Sequence, residues 1–223
     1  PLAAARYALS GVVATVDATY GTRTLDGSPE AVKQVAMADR VVITKCDLAD
    51  AATVQAVAAR VREIAPGAAR LLSIRGDADP ARLFDTGLYR GERVPMDAAG
   101  WLNAGAYRIA GRPAPPRHDP RINSFVWTAQ EPLAWDDVEQ ALATLTELLG
   151  ERILRLKGLV NVAGEPGPRA VHGVQHTLYP SARLPAWPDA DRRTRLVFIG
   201  RDLEESAVIP ILESSRASAP LPR

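Results

Sequence analysis

The first 90 residues contain three continuous apolar runs, each ending in polar residues. The runs occupy residues 11–17, 40–45 and 70–74. Strands buried on both faces of a parallel sheet are continuously apolar, whereas half-exposed strands alternate apolar with polar residues. The pattern therefore predicts three parallel strands. Their polar ends are expected to meet at one edge of the sheet, where ligands bind in such folds.

Helical patterns separate these runs. The first begins at Ser28-Pro29-Glu30, which combines a capping hydroxyl, a proline at the first helical position and an acid in the first turn. The second spans residues 50–65, has one apolar face and stops at Pro66-Gly67, and the third runs from Asp79-Pro80 to near Gly87. Strands that alternate with amphipathic helices predict a doubly wound α/β fold.

The pattern changes in the second half of the chain. An alternating run predicts a strand at 122–128, and an amphipathic helix follows from 135 to Gly150. The remaining predicted elements are strands at 153–162, 169–179 and 195–200 and a helix at 204–214. This order predicts a small α+β domain with helices on one face of a mostly antiparallel sheet.

A segment rich in glycine and proline separates the two halves. Within it, residues 111–120 carry four prolines, which predicts a stiff, exposed linker. We therefore expect an α/β domain at 1–90, a linker at 91–120, an α+β domain at 121–215 and a disordered tail at 216–223.

The loop Thr44-Lys45-Cys46-Asp47-Leu48 suggests nucleotide chemistry. Many GTPases build their guanine pocket from an apolar strand that ends in Thr-Lys-x-Asp-Leu. A fixed carboxylate at Asp47 would accept hydrogen bonds from both N1–H and the exocyclic amine of guanine, a pair that adenine does not offer. A pocket built around such a partner rejects an analogue that lacks it by roughly 10⁴ to 10⁵. The motif therefore predicts a preference for GTP.

Three further residues complete the predicted base site. Lys45 would lay its methylene stem over the base plane and keep its ammonium group in water. Thr44 would brace the loop by a side-chain hydrogen bond to the backbone. Ser73 falls where a second base-contacting loop would lie. Two structural readings stay open, because Lys-x-Asp-Leu also fits a polar turn after a core strand, and a strand-end hydroxyl such as Ser73 also satisfies backbone groups.

The 223 residues contain no phosphate loop of the form G-x-x-x-x-G-K-[S/T]. The predicted α/β domain is therefore an incomplete P-loop-type sheet, and with Pro1 as its first residue the chain reads as a truncated GTPase. Phosphoryl transfer needs a phosphate cradle, Mg²⁺ and a positioned water. We expect this chain alone to bind GTP weakly and to hydrolyse none, and we predict no catalytic residue in it.

Two sets of motifs resemble one known family. Residues 13–48 resemble the middle of the CobW family of GTP-dependent metal chaperones and cobalamin-pathway proteins. The second half resembles that family's C-terminal domain, in the expected order, through 122–125 (INSF), 152–158 (RILRLKG), 171–176 (VHGVQH), 187–188 (WP) and 195–199 (RLVFI).

This resemblance implies a function for the full-length protein. Members bind and hydrolyse GTP, with Mg²⁺, and deliver a metal, often zinc or cobalt, to a client protein. By motif, Thr44, Lys45 and Asp47 carry over as base-reading residues, and Ser73 is the candidate in the next loop. The C-terminal domain is the expected docking surface for a client metalloprotein.

We predict no metal ligands in this chain. If His172 and His176 share a strand, they lie roughly 13 Å apart, which is too far for one tetrahedral zinc. Cys46 lies inside the base loop and reads as a small, half-buried side chain. His118 is the linker's only histidine, whereas many CobW-family members carry a His-rich run near this place.

Composition excludes several partners. The 27 basic and 26 acidic residues give a net charge of +1 with no basic block, so we expect no nucleic-acid partner. No apolar run reaches the roughly 18 residues that span a bilayer and no secretory leader is visible, so we expect no membrane association. A single cysteine excludes an internal disulfide and fits a reducing cytoplasm.

Two alternatives to a truncated GTPase stay open. The chain would be a non-catalytic adaptor if it retains the fold but acts only through protein contacts. It would be part of a partner-completed enzyme if its phosphate loop lies on another polypeptide.

Overall fold

A computed structural model describes residues 11–84, 98–113 and 121–216. Contacts divide the chain into two units, Pro1–Trp101 and Leu102–Arg223. Each unit has its own sheet.

The first unit is a three-stranded parallel sheet with helices between its strands. Its elements are β1 (Val13–Asp17), α1 (Gly21–Gly27), α2 (Pro29–Met37), β2 (Arg40–Thr44), a 3₁₀ turn (Cys46–Leu48), α3 (Ala51–Ile64), β3 (Ala69–Leu72) and α4 (Pro80–Phe84). The strand order is β1-β2-β3, and both pairs are parallel. The predicted α/β fold with a parallel sheet is confirmed.

Side chains cap the first turns of α2 and α3, and the cap of α2 is the predicted one. The Ser28 hydroxyl accepts a hydrogen bond from Ala31 N at 3.2 Å, and Pro29 occupies the first position of α2. Asp50 caps α3 by accepting from Thr53 N at 2.7 Å. Each side-chain oxygen satisfies a backbone donor that has no partner within its helix.

The helix α1 is absent from the sequence-based prediction, which placed the first helix at Ser28. Its ends are Gly21 and Gly27, and glycine is a poor helix former. A Cβ at Gly21 would lie 2.6 Å from Val16 Cγ1 and 3.1 Å from Val57 Cγ1. Glycine thus lets this helix approach β1 and α3, and tertiary packing overrides local propensity.

The second unit is built on a seven-stranded, mainly antiparallel sheet. Its elements are β4 (Arg108–Ile109), β5 (Ile122–Ala129), α6 (Trp135–Leu149), β6 (Ile153–Val160), β7 (Arg169–Val174), β8 (Thr177–Leu178), β9 (Ala182–Arg183), β10 (Thr194–Arg201) and α7 (Glu205–Ser214), and α5 (Ala98–Leu102) precedes them across the unit boundary. The strand order is β4-β5-β10-β6-β7-β8, with β9 paired to β7. Only β4 and β5 pair in parallel among these strands. The predicted α+β architecture is confirmed.

One layer of apolar side chains joins the sheet to α6 and α7. Phe125 and Phe198 are fully buried and stack with ring centroids 5.4 Å apart. Leu142 and Leu145 of α6 and Leu212 of α7 belong to the same buried cluster. Burial of this layer is the main favourable contribution to the stability of the unit.

The strand predicted at 169–179 is wrong in its extent. The chain forms a hairpin instead, in which β7 ends at Val174 and β8 begins at Thr177. Gln175 adopts a left-handed conformation with φ of 53°, which turns the chain without a glycine signal.

The described part of the predicted linker is ordered. Within 98–113, Leu102 is buried, β4 pairs with β5, and the Arg108 guanidinium contacts the Glu205 carboxylate. These tertiary contacts give structure to residues that glycine and proline content assigns to a spacer. The domain bounds themselves stay a prediction, and most of the predicted tail, residues 217–223, lies outside the described residues.

Within the described ranges, no helix is both long and apolar enough to cross a membrane.

Candidate functional site

The ends of the first unit's three strands bring together the residues that the sequence singled out. Asp17 at the end of β1 pairs in register with Thr44 at the end of β2. Ile43 pairs with Leu72 at the end of β3, directly before Ser73. Parallel pairing therefore places Asp17, the loop that starts at Lys45, and Ser73 at the same sheet edge.

Asp17 is the most strongly bonded carboxylate of this edge. Its Oδ2 accepts from Lys45 Nζ at 2.7 Å, and its Oδ1 accepts from Thr19 N at 2.7 Å and from the Thr19 hydroxyl. The hydrogen bonds from Lys45 and Thr19 hold the pKa of Asp17 well below its usual range. The same bond and the charge of Asp17 raise the pKa of Lys45, so both groups are ionised near neutral pH.

Backbone geometry shapes the base loop. Lys45 adopts a left-handed conformation with φ of 58°, and Leu48 N donates to Lys45 O at 3.0 Å. Thr44 Oγ1 donates to Val16 O at 3.4 Å, and Thr44 O accepts from Ala18 N at 2.8 Å. Thr44 thus ties the loop to β1 through both its side chain and its backbone.

Asp47 lies at the tip of the loop with its side chain 23% exposed. Its Oδ1 accepts from Arg75 N at 3.1 Å, and its Oδ2 forms only a loose ion pair with Arg75 Nε at 4.0 Å. Arg75 itself has a positive φ of 52°, followed by Gly76 at 82°. The turn after β3 therefore anchors one oxygen of Asp47 and leaves the other with acceptor capacity.

Ser73 connects the two loops through its backbone. Ser73 N donates to Ile43 O at 2.8 Å, and Ser73 O accepts from Cys46 N at 3.1 Å. The residue is only 1% exposed, so its side chain lies beneath the surface of the edge. The Cys46 thiol donates to Ile43 O at 3.2 Å, which turns it toward the strand.

Comparison with known families agrees with this geometry. A model of the CobW/HypB/UreG nucleotide-binding domain matches residues 1–71, and a model of the C-terminal domain of the cobalamin synthesis protein cobW matches residues 122–216. The chain belongs to the CobW family. The resemblance drawn from the sequence motifs is thereby confirmed.

Several curated CobW-family relatives are named for zinc or GTP. They are the zinc chaperone YjiA of Escherichia coli (strain K12), 29% identical over 91% of this chain and 60% of its own length; the zinc chaperone CobW of Pseudomonas aeruginosa, 30% identical over 82% and 46%; and the zinc-regulated GTPase metalloprotein activator 1 of Dictyostelium discoideum, 26% identical over 79% and 41%. The chain thus spans between about two fifths and three fifths of these relatives.

Solved structures agree on the fold. A zinc-bound triple mutant of the YjiA GTPase superposes with a TM-score of 0.67 at 24% identity, over 96% of this chain and 64% of that chain. Zinc-bound YjiA from E. coli superposes with a TM-score of 0.65 at 24% identity, over 95% and 62%. At this identity the likeness establishes the CobW-family fold alone.

His172 and His176, in the second unit, have different neighbours. His176 lies in the turn after β7, where its Nδ1 is 2.9 Å from Thr146 O at the end of α6. The His172 ring packs on Tyr179 at 4.7 Å. The two residues therefore do not share a strand, and the spacing argument made from the sequence does not apply. Among the described residues, no group of three or more His, Cys, Asp or Glu side chains is arranged to hold a metal ion, and His118 lies outside the described residues.

Sequence reasoning missed two contacts of the candidate CobW-family base site. It placed Asp17 at the correct edge but did not pair it with Lys45, which lies 28 residues away. The sequence does offer a signal for the turn that fixes Asp17, because an aspartate often accepts a hydrogen bond from the backbone N–H two residues on, here that of Thr19. Nothing in the sequence marks Arg75 as the anchor of Asp47.

Proposed function

We propose that this chain carries the guanine-reading part of a GTP-binding protein that couples GTP binding and hydrolysis to delivery of a metal to a client protein. Zinc is the first candidate cargo and cobalt the second, because the relatives of this chain are named as zinc chaperones and the family model is named for cobalamin synthesis.

The observation that carries the proposal is the position of the Asp47 carboxylate. It lies beyond the end of β2, partly exposed, with Oδ1 anchored by Arg75 N. A carboxylate held in one orientation at the ligand edge of a parallel sheet suits the forked pair of donors on guanine. Adenine would leave the same carboxylate unpaired.

The neighbouring residues support this role for Asp47. Lys45 crosses the edge toward Asp17, which leaves its methylene stem available as an apolar wall for a base. Thr44 and Ser73 hold the two loops together from below, through Val16 O and Cys46 N respectively. Within the base site, we assign Asp47 and Lys45 to direct contact and Thr44 and Ser73 to support.

Hydrolysis requires groups beyond this edge. The printed residues contain no G-x-x-x-x-G-K-[S/T] loop, so a phosphate cradle and its Mg²⁺ must be held by other residues. The 223-residue chain alone is expected to bind GTP weakly and to show no turnover. Client docking falls to the second unit, which matches the C-terminal domain of the family.

Binding specificity of the intact polypeptide, as its own cells make it, tests the proposal. We would compare Asp47→Ala and Asp47→Asn with the unchanged protein for binding of GTP, ATP and xanthosine triphosphate. Asp47→Ala should lose at least about 100-fold in preference for GTP over ATP, part of the roughly 10⁴ available to such a site. Asp47→Asn should shift the preference toward xanthosine triphosphate, because an amide donates where the carboxylate accepts.

Asp50→Asn is the matched control, because it makes the same chemical change three residues away and asparagine caps a helix as well as aspartate. It should leave the preference unchanged. An unchanged preference in both Asp47 variants would overturn the guanine site and favour the adaptor alternative. Turnover by the 223-residue chain alone would overturn its assignment as catalytically incomplete.

A further inference from the structure

The turn after β1 holds the Asp17 carboxylate in one orientation. Its Oδ1 accepts from Thr19 N at 2.7 Å, from the Thr19 hydroxyl and from Tyr20 N at 3.3 Å. Aspartate that bonds the backbone two residues on forms an Asx turn, which restricts its own side chain. With Oδ1 fixed by three donors, the position of Oδ2 is fixed as well.

That second oxygen holds the end of Lys45. Lys45 Nζ donates to Asp17 Oδ2 at 2.7 Å, although the lysine side chain is 57% exposed. The register between β1 and β2 places Asp17 beside Thr44, so Lys45, the first residue after β2, lies close enough to reach it. The long, flexible side chain of Lys45 is thus restrained at its free end, because its ammonium group is bonded to Asp17.

We propose that Asp17 is a positioning residue for nucleotide binding, which holds the Lys45 stem as one wall of the purine site before a guanine nucleotide arrives. This inference rests on the proposed function of the Thr44-Lys45-Cys46-Asp47 loop. A free lysine side chain loses rotamer freedom when it packs on a base, and prior ordering removes that loss from the binding step.

Coordination of Mg²⁺ is the rival role for a carboxylate at this strand end. Both Asp17 oxygens already accept hydrogen bonds, and the Lys45 ammonium occupies the oxygen that a cation would need. Magnesium at a nucleotide is held by one or two protein oxygens together with waters and phosphates, so Asp17 could join it only by giving up the bond from Lys45. The two roles exclude each other at Oδ2 and predict different responses to Mg²⁺.

Affinity measurements on the intact polypeptide separate these roles, with ribose-labelled fluorescent GDP as the probe. Asp17→Asn keeps an oxygen for Thr19 and Tyr20 but removes the charge that holds Lys45. The dissociation constant should rise roughly two- to five-fold, the range for an exposed ion pair, and equally in Mg²⁺ and in EDTA. Glu30→Gln is the control, because it removes an exposed carboxylate of α2, outside this edge, and should change nothing.

A second background distinguishes positioning from a general effect on folding. Lys45→Met keeps most of the apolar stem but has no ammonium group for Asp17 to hold. It should show the same two- to five-fold loss alone, and Asp17→Asn should add nothing to it. Lys45→Met alone still tests the pair if Asp17→Asn fails to fold.

Three results would overturn the inference: a loss confined to Mg²⁺, an undiminished further loss from Asp17→Asn in the Lys45→Met background, or GDP affinity unchanged in both single variants. The proposed function fails separately, if the unchanged polypeptide does not prefer GDP over ADP. A protein that prefers GDP and ignores Asp17→Asn would contradict only the positioning role.

Discussion

The two units use their carboxylates in different ways. At the candidate site of the first unit, Asp17 and Asp47 each accept from backbone N–H groups of a loop. In the second unit, Asp189 accepts hydrogen bonds from both terminal nitrogens of Arg195, at 2.9 and 3.1 Å. Both oxygens of Glu165 likewise accept from the Arg169 guanidinium. Asp47 keeps acceptor capacity on its second oxygen, and Asp17 uses its second oxygen to hold Lys45. A carboxylate clamped by a guanidinium, in contrast, has both oxygens bonded to one arginine.

Burial explains the guanidinium clamps. Arg169 and Arg195 lie on strands of the large sheet and are each only 9% exposed. A charge so far out of water needs a partner, and a bidentate carboxylate balances the charge and accepts from two of the five guanidinium donors. The carboxylates paired with Arg169 and Arg195 therefore offset the cost of burying these two charges on the sheet. Asp17 and Asp47 instead lie at an open edge of the first unit, where the candidate site is.

The largest change in the free energy of unfolding is expected from Phe198→Ala, in the core of the second unit. Phe198 is fully buried against Phe125, so the substitution should lower the free energy of unfolding by about 3–5 kcal/mol. Urea unfolding followed by tryptophan fluorescence reports mainly this unit, because three of the four tryptophans, Trp127, Trp135 and Trp187, lie in it. Leu148→Ala, at a site 67% exposed on α6, should stay within about 0.5 kcal/mol. Equal costs for the two variants would contradict a core at Phe198.

Asp189→Ala tests whether the clamps of the second unit are structural. Among the described residues, the carboxylate that remains near the buried Arg195 is that of Asp191, whose Oδ2 lies 3.6 Å from Arg195 Nη1. We expect a loss of about 2–3 kcal/mol in the free energy of unfolding, measured in the same urea titration.

Arg195→Met is the matched variant, because it removes the buried charge and leaves Asp189, which is 33% exposed, in water. Its cost should be under about 1 kcal/mol. If Arg195→Met costs as much as Asp189→Ala, the pair itself stabilises the unit, and the contrast drawn between the two units fails.

Asp50→Ala tests the backbone-anchored carboxylates of the first unit. Asp50 accepts from Thr53 N at 2.7 Å, so its loss should speed hydrogen exchange in the first turn of α3 roughly five-fold, as for a lost helix cap. Asp50→Asn should restore protection, because an amide oxygen serves as well when the partner is a backbone N–H. Exchange that stays fast in Asp50→Asn would show that the charge itself matters.

The sequence was most informative about the strands and the base loop. Continuous apolar runs place β1, β2 and β3 within two residues of their observed bounds, because burial on both faces leaves a local signal. The same runs bring Asp17, Lys45 and Ser73 to one edge, since parallel strands end together. These inferences need only local pattern and a general rule of topology.

Other features depend on contacts that no local pattern encodes. The bond between Asp17 and Lys45 requires the register of β1 against β2, and the anchor of Asp47 requires a left-handed Arg75. Likewise, α1 forms because Gly21 fits against Val16, although glycine disfavours helices. In each case a long-range contact overrides or completes the local preference.

The smallest expected effect is the pH dependence of stability that comes from Asp191. It tests again whether carboxylates of the second unit act through their charge. Hydrogen bonds from Arg193 lower the pKa of Asp191 to about 2 from its ordinary 3.8. Because the folded-state pKa is the lower one, Asp191 stabilises the protein above about pH 4, and this contribution disappears as the pH falls toward 2. Its side chain is 31% exposed, so solvent screening limits the effect to about 0.5–1 kcal/mol.

Urea unfolding of the unchanged protein and Asp191→Asn at about pH 6, 4 and 2.5 measures this contribution. The gap in unfolding free energy should be largest at the highest pH and should nearly close at the lowest. Asp202→Asn is the control, since its side chain is 60% exposed and asparagine accepts its left-handed backbone, so it should differ little from the unchanged protein throughout. A gap for Asp191→Asn that persists at the lowest pH would mean that the lost contact is not a charged one. Asp191 would then act as a plain hydrogen-bond acceptor, as is expected of Asp50 in the first unit.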